Sequence, residues 1–131
     1  MILVKTKLGK SNIDGIGCFA DEDIAKGTVI WRFVPGFDQE FSMEFVDRLP
    51  NFCRDQVVKY AYISKKTGNY ILCTDDTRFF NHSENNNVKN LSAKNEQEGI
   101  DIAIRDIKKG EELLYDYSVF ADFDPELLQK L

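Results

Sequence analysis

Three short clusters in this 131-residue chain hold side chains able to bind or orient a small molecule. Gly15-Ile16-Gly17 lets main chain approach a ligand closely, or simply turn sharply. The pair lacks the third glycine of a dinucleotide-binding fingerprint and no long helix follows it, so a tight turn is the plainer meaning of these residues alone. Arg78-Phe79-Phe80-Asn81-His82-Ser83 sets the only histidine beside an amide and a hydroxyl, just after an apolar pair. A lone histidine is more often a hydrogen-bonded structural residue than a ligand. Gly110-Glu111-Glu112-Leu113-Leu114-Tyr115-Asp116-Tyr117 ends in two tyrosines at i and i+2, which share one face of a strand. By themselves they form an aromatic core stripe.

The elements that would carry these clusters are short. Ile2 to Leu8 alternates apolar and polar residues, as a half-buried strand does. Gly9 to Gly17 is rich in turn residues, Cys18-Phe19-Ala20 is a short apolar run, and Asp21 to Gly27 is a polar loop. Thr28 to Val34 is a strong strand ended by Pro35-Gly36. Helix is expected between Ser42 and Ala61: Ser42 caps one segment, Pro50 interrupts, and Asn51 caps a second bearing Phe52, Val57 and Val58. Strands follow near Tyr60 to Ser64 and Asn69 to Cys73, joined by a Lys-Thr-Gly-Asn turn. Asn85-Asn86-Asn87 has the composition of an irregular loop. Ile100, Ile102 and Ile104 alternate with Asp101, Ala103 and Arg105 in a further strand, and Lys109-Gly110 turns the chain into Leu113 to Tyr117. Asp124-Pro125 has the chemistry of a helix start. There is no repeat, linker or low-complexity tract.

Composition narrows the function. Apolar residues make up 43% and charged residues 30%, which fits one ordinary globular domain over residues 1–131 and argues against disorder. A chain of this length buries roughly two-thirds of its unfolded surface and needs neither disulfide nor metal to fold. Seventeen basic against twenty-two acidic residues leave a net charge of −5. That disfavours direct nucleic-acid binding, which draws its affinity from neutralised phosphates, and suits a basic partner. Acidic clusters at Asp21-Glu22-Asp23, Asp38 to Glu44 and Asp122 to Glu126 could line a groove for one, although such clusters are more often solvated faces. Cys18, Cys53 and Cys73 are too few and too scattered for a disulfide framework or a zinc site, so reduced thiols are expected. No apolar run nears the roughly 20 residues of a membrane span, and the N-terminus turns charged too early for a signal peptide. The expectation is a cytoplasmic, nuclear or nucleoid-associated protein, neither secreted nor bound to membrane.

The order of the three clusters carries more than each does alone. From near Lys7 to near Phe120 the chain resembles the SET-domain family of protein lysine methyltransferases. Ile13-Asp14-Gly15-Ile16-Gly17-Cys18-Phe19-Ala20 is similar to the family's first motif. Arg78 to Ser83, with Asn87 six residues beyond Asn81, is similar to its Asn-His-Ser motif. Glu111 to Tyr117 is similar to its Gly-Glu-Glu-Leu-x-Tyr-Asp-Tyr signature, and Asp106 to Gly110 to the turn before it. The resemblance implies a mostly β fold of small curved sheets with a few short helices, a β-clip-like arrangement in which the C-terminal motif threads past the Asn-His-Ser segment. It also implies a variable helical insert at 35–60, one wall of a substrate groove, and a tail at 118–131 in place of a zinc-binding segment.

The implied reaction moves a methyl group from S-adenosylmethionine to a lysine amine of a basic protein such as a histone, leaving S-adenosylhomocysteine, with no metal. Cofactor and peptide would enter from opposite faces and meet in a narrow channel, where alignment is gained before reaction. By resemblance, main chain at Asp14, Gly15, Ile16 and Gly17 holds the methionine end, and Arg78, Asn81 and His82 hold the carboxylate and adenine parts. Tyr117 matches the catalytic tyrosine, which also touches the cofactor. Tyr115 matches the position that tunes the number of methyls, and mono- or dimethylation is expected. At pH 7 an ordinary lysine needs about 4.6 kcal/mol to lose its proton. An apolar channel and a neighbouring positive sulfur lower that cost, so no dedicated base is required. Tyr60 and Tyr62 either line the channel or pack in the core, and Phe120 and Phe123 either close the channel or seal the core. The alternative function is a catalytically inactive SET-like module that binds peptide or cofactor, and a homodimer that completes the groove is left open.

Overall fold

Turn chemistry decides where the strands of this chain stop. In the computed structural model, which describes residues 1–116, β1 (Thr6–Lys10) and β2 (Ile16–Ala20) form an antiparallel hairpin with Thr6 opposite Ala20 and Lys10 opposite Ile16. The alternation over Ile2 to Leu8 predicts one continuous strand; the structure divides it. Residues 1–3 run beside β3 (Val29–Arg32), with Ile2 opposite Trp31 and Leu3 N donating to Ile30 O. The chain changes partner at Lys5, whose N–H goes to Glu22 Oε1. Next come β4 (Gln39–Phe41), α1 (Met43–Asp47), α2 (Asn51–Tyr60), β5 (Tyr62–Ile63) and β6 (Tyr70–Leu72). A turn of 3-10 helix at Asp76–Phe79 then leads to β7 (Asn81–His82), β8 (Val88–Leu91), β9 (Ile100–Ala103) and β10 (Leu114–Tyr115). No helix among the described residues is long and apolar enough to cross a membrane.

Two further sheets complete the frame. One has the order β3-β9-β8-β10-β7 and the other β4-β6-β5. The first carries the larger core, with Cys18, Ile30, Phe80, Val88, Leu113 and Tyr115 among its buried residues. The second encloses Trp31, Phe33, Ile71 and Cys73, with Tyr62 packed against them. Burial pushes the Cys18 thiol up to about 12 and raises that of Cys73 as well, so both remain protonated core residues.

Both helical segments expected between Ser42 and Ala61 are present, and β4 precedes them, paired with β6. Ser42 caps α1 as expected, accepting from Phe45 N at 3.1 Å. Asn51 does not cap α2. Pro50 has the extended cap conformation, and Asn51 stands at the first helical position with its amide oxygen toward Arg54. No side chain of α2 is buried, and Phe52 is 74% exposed.

Three consecutive side chains of the loop between β8 and β9 bind it to its surroundings, the first to β3 of its own sheet and the next two to the smaller sheet. Glu96 pairs with Arg32, Gln97 Nε2 donates to Glu40 Oε2 at 2.8 Å, and Glu98 accepts from Tyr62 Oη at 3.1 Å and Ser64 Oγ at 2.7 Å. Gly99 closes the loop at φ 68°, where a Cβ would overlap the Leu91 carbonyl.

The strand expected over 100–105 is present as β9, but its alternating pattern does not mark one wet face. β9 lies between β3 and β8, and Asp101, Ile102 and Ala103 are all buried. Burial pushes the Asp101 carboxyl up to about 7, against the lowering effect of the hydrogen bond from Asn90 Nδ2 at 2.8 Å. Unfolded, the group releases its proton near pH 4. Between about pH 4 and 7 the native state therefore holds more protons, and stability falls as pH rises, by at most about 1.4 kcal/mol per pH unit. Asp101→Asn keeps an acceptor for Asn90 and cannot ionise. Urea unfolding across pH 4 to 8 should show this variant with a flatter profile and greater stability than the parent at pH 8.

Candidate functional site

The last described strand is held between two strands that precede it in the chain. β10 runs parallel to both β7 and β8, with Leu114 opposite Asn81, and Tyr115 opposite His82 on one side and Val88 on the other. The connection at 83–87 therefore passes over the end of β10, and Ser83 N donates to Tyr115 O at 2.7 Å. This is the threaded arrangement expected of the C-terminal motif. Asn87 secures it. Its Nδ2 donates to Glu112 O at 2.8 Å, and its Oδ1 accepts from Leu114 N at 2.9 Å. From the other side β2 grips the same segment, since Leu113 N donates to Cys18 O and Ala20 N to Glu111 O, both at 2.8 Å.

That threading brings the three clusters to one place. Asn81 Nδ2 lies 3.1 Å from Asp14 O, 3.3 Å from Ile16 O and 3.0 Å from Glu112 Oε1. Glu112 Oε2 accepts from Ser11 Oγ at 3.0 Å. Ser11 Oγ in turn accepts from Ile13 N at 2.9 Å and Asp14 N at 3.3 Å, closing the turn between β1 and β2. Gly15 takes φ 48° at its tip, where a Cβ would meet open space, whereas at Gly17 a Cβ would overlap the Glu112 carboxylate. The two glycines thus serve different needs. Gly15 supplies a left-handed turn, and Gly17 makes room for a side chain arriving from the far end of the chain.

The expected site residues divide accordingly. Asp14, Gly15, Ile16, Gly17 and Asn81 converge. His82 is exposed on the adjoining strand, with Nδ1 3.8 Å from Asp116 Oδ1. Arg78 is turned toward the smaller sheet. Its Nε donates to Cys73 O at 3.1 Å, and its guanidinium lies 5.4 Å from the centre of the Tyr60 ring, which meets Phe79 edge-on. Tyr115 is buried in the larger core with its ring 5.5 Å from that of Phe80. Tyr62 packs with the Trp31 core. Tyr117, Phe120, Phe123, the acidic cluster from Asp122 and the helix expected at Asp124 lie outside the described residues.

Three residues of the site escape a reading by residue type. Ser11 acts through one hydroxyl in a loop, Asn87 uses both atoms of an amide in a stretch with the composition of irregular loop, and Glu112 is half of an ordinary acidic pair. Strand geometry separates that pair. Glu111 turns to Lys108 N at 2.5 Å and Arg105 Nη1 at 3.0 Å, which hold its carboxyl below the usual range, while Glu112 turns to Asn81 and Ser11. Several carboxylates of the acidic clusters near the N-terminus are taken up within the protein. Asp38 is buried against the Met1 ammonium and Val34 N, and Glu40 holds Asn69 and Gln97. Glu22 and Asp23 cap the backbone N–H groups of Lys5 and Lys109.

Residues 15–118 match the family model of the SET domain. In fold the chain is similar to a Plasmodium falciparum protein provisionally named a histone methyltransferase, at 24% identity and a TM-score of 0.60, covering 88% of this chain and 95% of that one. It is also similar to a chain of the Chaetomium thermophilum Polycomb Repressive Complex 2, at 28% identity and a TM-score of 0.66 over 97% of this chain. A form of that complex with mutations in Ezh2 gives 27% identity and a TM-score of 0.68 over the same share. The present chain spans 16% to 17% of the length of those two polycomb chains. No curated protein sequence matches it.

Asn87→Ala removes a donor and an acceptor at once and leaves Glu112 O and Leu114 N without their partner. The expected loss of stability is about 2–4 kcal/mol. It is measured as a lower urea midpoint with an unchanged slope; a variant as stable as the parent would dissociate Asn87 from the threading.

Proposed function

The chain belongs to the SET-domain family, and on that premise we propose that it is a protein-lysine methyltransferase acting on a basic protein such as a histone. The observation that carries this reading is the meeting of three motifs at one amide, where Asn81 lies within 3.3 Å of Asp14 O, Ile16 O and Glu112 Oε1. A turn whose glycine is unobstructed, whose main chain is held from behind and whose Ile16 is exposed offers polar backbone and apolar surface together. That combination suits the methionine end of S-adenosylmethionine, which when bound supplies a methyl group on a positively charged sulfur. Asp14, Gly15, Ile16 and Gly17 would hold that end through main-chain groups. Asn81 and His82 would border it, and Arg78 would act from the edge of the smaller sheet.

Tyr117 is assigned the catalytic role. Its hydroxyl would orient the target amine toward the methyl group and would not itself take the proton. The target amine would release its proton to solvent before attack, so no residue of the chain need act as a base. Tyr115 is assigned to product control, because a hydroxyl near the amine occupies space that a more methylated amine would need. We place the activity in the cytoplasm, nucleus or nucleoid.

Calorimetry with S-adenosylmethionine, followed by mass spectrometry of a lysine-rich protein pool, tests the reading. Binding with methyl transfer to lysine is expected, and Tyr117→Phe should lower turnover at least about a hundredfold, the scale of a lost positioned donor. Binding without transfer across that pool would leave an inactive binding module instead. Tyr115→Phe should raise the share of higher methylated product; an unchanged distribution would remove Tyr115 from product control.

A further inference from the structure

Glu112 lies at the centre of the converged motifs yet is exposed to no obvious chemistry of its own. Both of its carboxylate oxygens point back into the protein, Oε1 to Asn81 Nδ2 and Oε2 to Ser11 Oγ, each at 3.0 Å. Each partner passes the restraint on to the turn between β1 and β2. Asn81 Nδ2 also reaches the carbonyls of Asp14 and Ile16, while Ser11 Oγ takes the N–H groups of Ile13 and Asp14. One carboxylate therefore sets both the carbonyl side and the N–H side of the same turn. The missing Cβ of Gly17 is the space that it fills. Its backbone is fixed independently, by Asn87 on its carbonyl and by pairing of Glu112 with Phe19.

We propose that Glu112 is a positioning residue for the cofactor, a strut that fixes the Ser11–Gly17 turn in its ligand-ready shape without touching the ligand. The proposal rests on the methyltransferase reading above, and it adds a division of labour. Glu112 and Ser11 should govern affinity for the cofactor, and the peptide should be indifferent to them. An amide cannot replace the carboxylate. Gln at 112 offers one acceptor where two donors converge, and its NH2 would face either the Asn81 NH2 or the Ser11 hydroxyl.

The test is calorimetry of S-adenosylhomocysteine and S-adenosylmethionine with the full chain, alongside KM for each substrate. E112Q is expected to weaken both cofactor forms at least about tenfold while the peptide KM stays within about twofold. Ser11→Ala should reproduce the direction of that split. A double-mutant cycle adds a readout that loss of stability alone would not move. Gly17→Ala displaces the carboxylate, so adding Glu112→Ala to it should cost little more, and the two losses should not multiply. Multiplying losses, or E112Q that binds the cofactor as tightly as the parent, would overturn the assignment while leaving the methyltransferase reading intact. A parent chain that binds neither cofactor form would overturn both.

Discussion

A single amide side chain closes this fold. Asn87 offers a donor and an acceptor in the spacing of a peptide group, and both are used on a segment 25 to 27 residues further along. A two-residue strand such as β10 has few ladder bonds, and buried main-chain groups without partners are costly. The side chain of Asn87 supplies the pairings that so short a strand cannot obtain from backbone alone. Because β10 is held, Glu112 arrives beneath the first turn, and because Glu112 arrives there, Asn81 is fixed against that turn. Removal of the first contact loosens the others in sequence.

Charge is spent inward in this molecule. A net charge of −5 suggests a negative surface waiting for a basic partner. Many of those carboxylates instead take backbone N–H groups that short strands and tight loops leave over, as at Glu22, Asp23, Asp38, Asp75 and Glu111. A protein made of two- to five-residue strands has many strand ends, and each end exposes main-chain donors. Acidic and amide side chains close them at the cost of surface charge available for recognition.

What the sequence makes legible follows from the range of the forces involved. The hairpin of β5 and β6, the cap at Ser42 and the turn at Lys109-Gly110 are set by neighbours in the chain, and residue type predicts them well. The motif order likewise predicts the sheet-rich fold, and Asp14, Gly15, Ile16, Gly17 and Asn81 do meet. Long-range effects are the ones that residue patterns miss. β8 carries Lys89 and Asn90 between two apolar ends, which matches neither strand alternation nor helical periodicity, yet β9 and β10 flank it. Asp101 breaks the polar-outward rule because β9 is covered on both faces and Asn90 is there to receive it. Glu112 finds its partners 31 and 101 residues away, and nothing local distinguishes it from Glu111.

The threading of β10 also bears on how the chain can be made. Residues leave the ribosome N-terminus first, so β7 and the crossover at 83–87 emerge well before the strand that must lie between β7 and β8. Until Leu114 and Tyr115 follow, β7 has no strand beside it. The nascent protein must therefore wait with Phe80 and Val88 incompletely covered, and contacts so distant in sequence form slowly. A SET domain of this kind is most vulnerable between the emergence of β8 and that of β10, the interval in which a chaperone has most to shield.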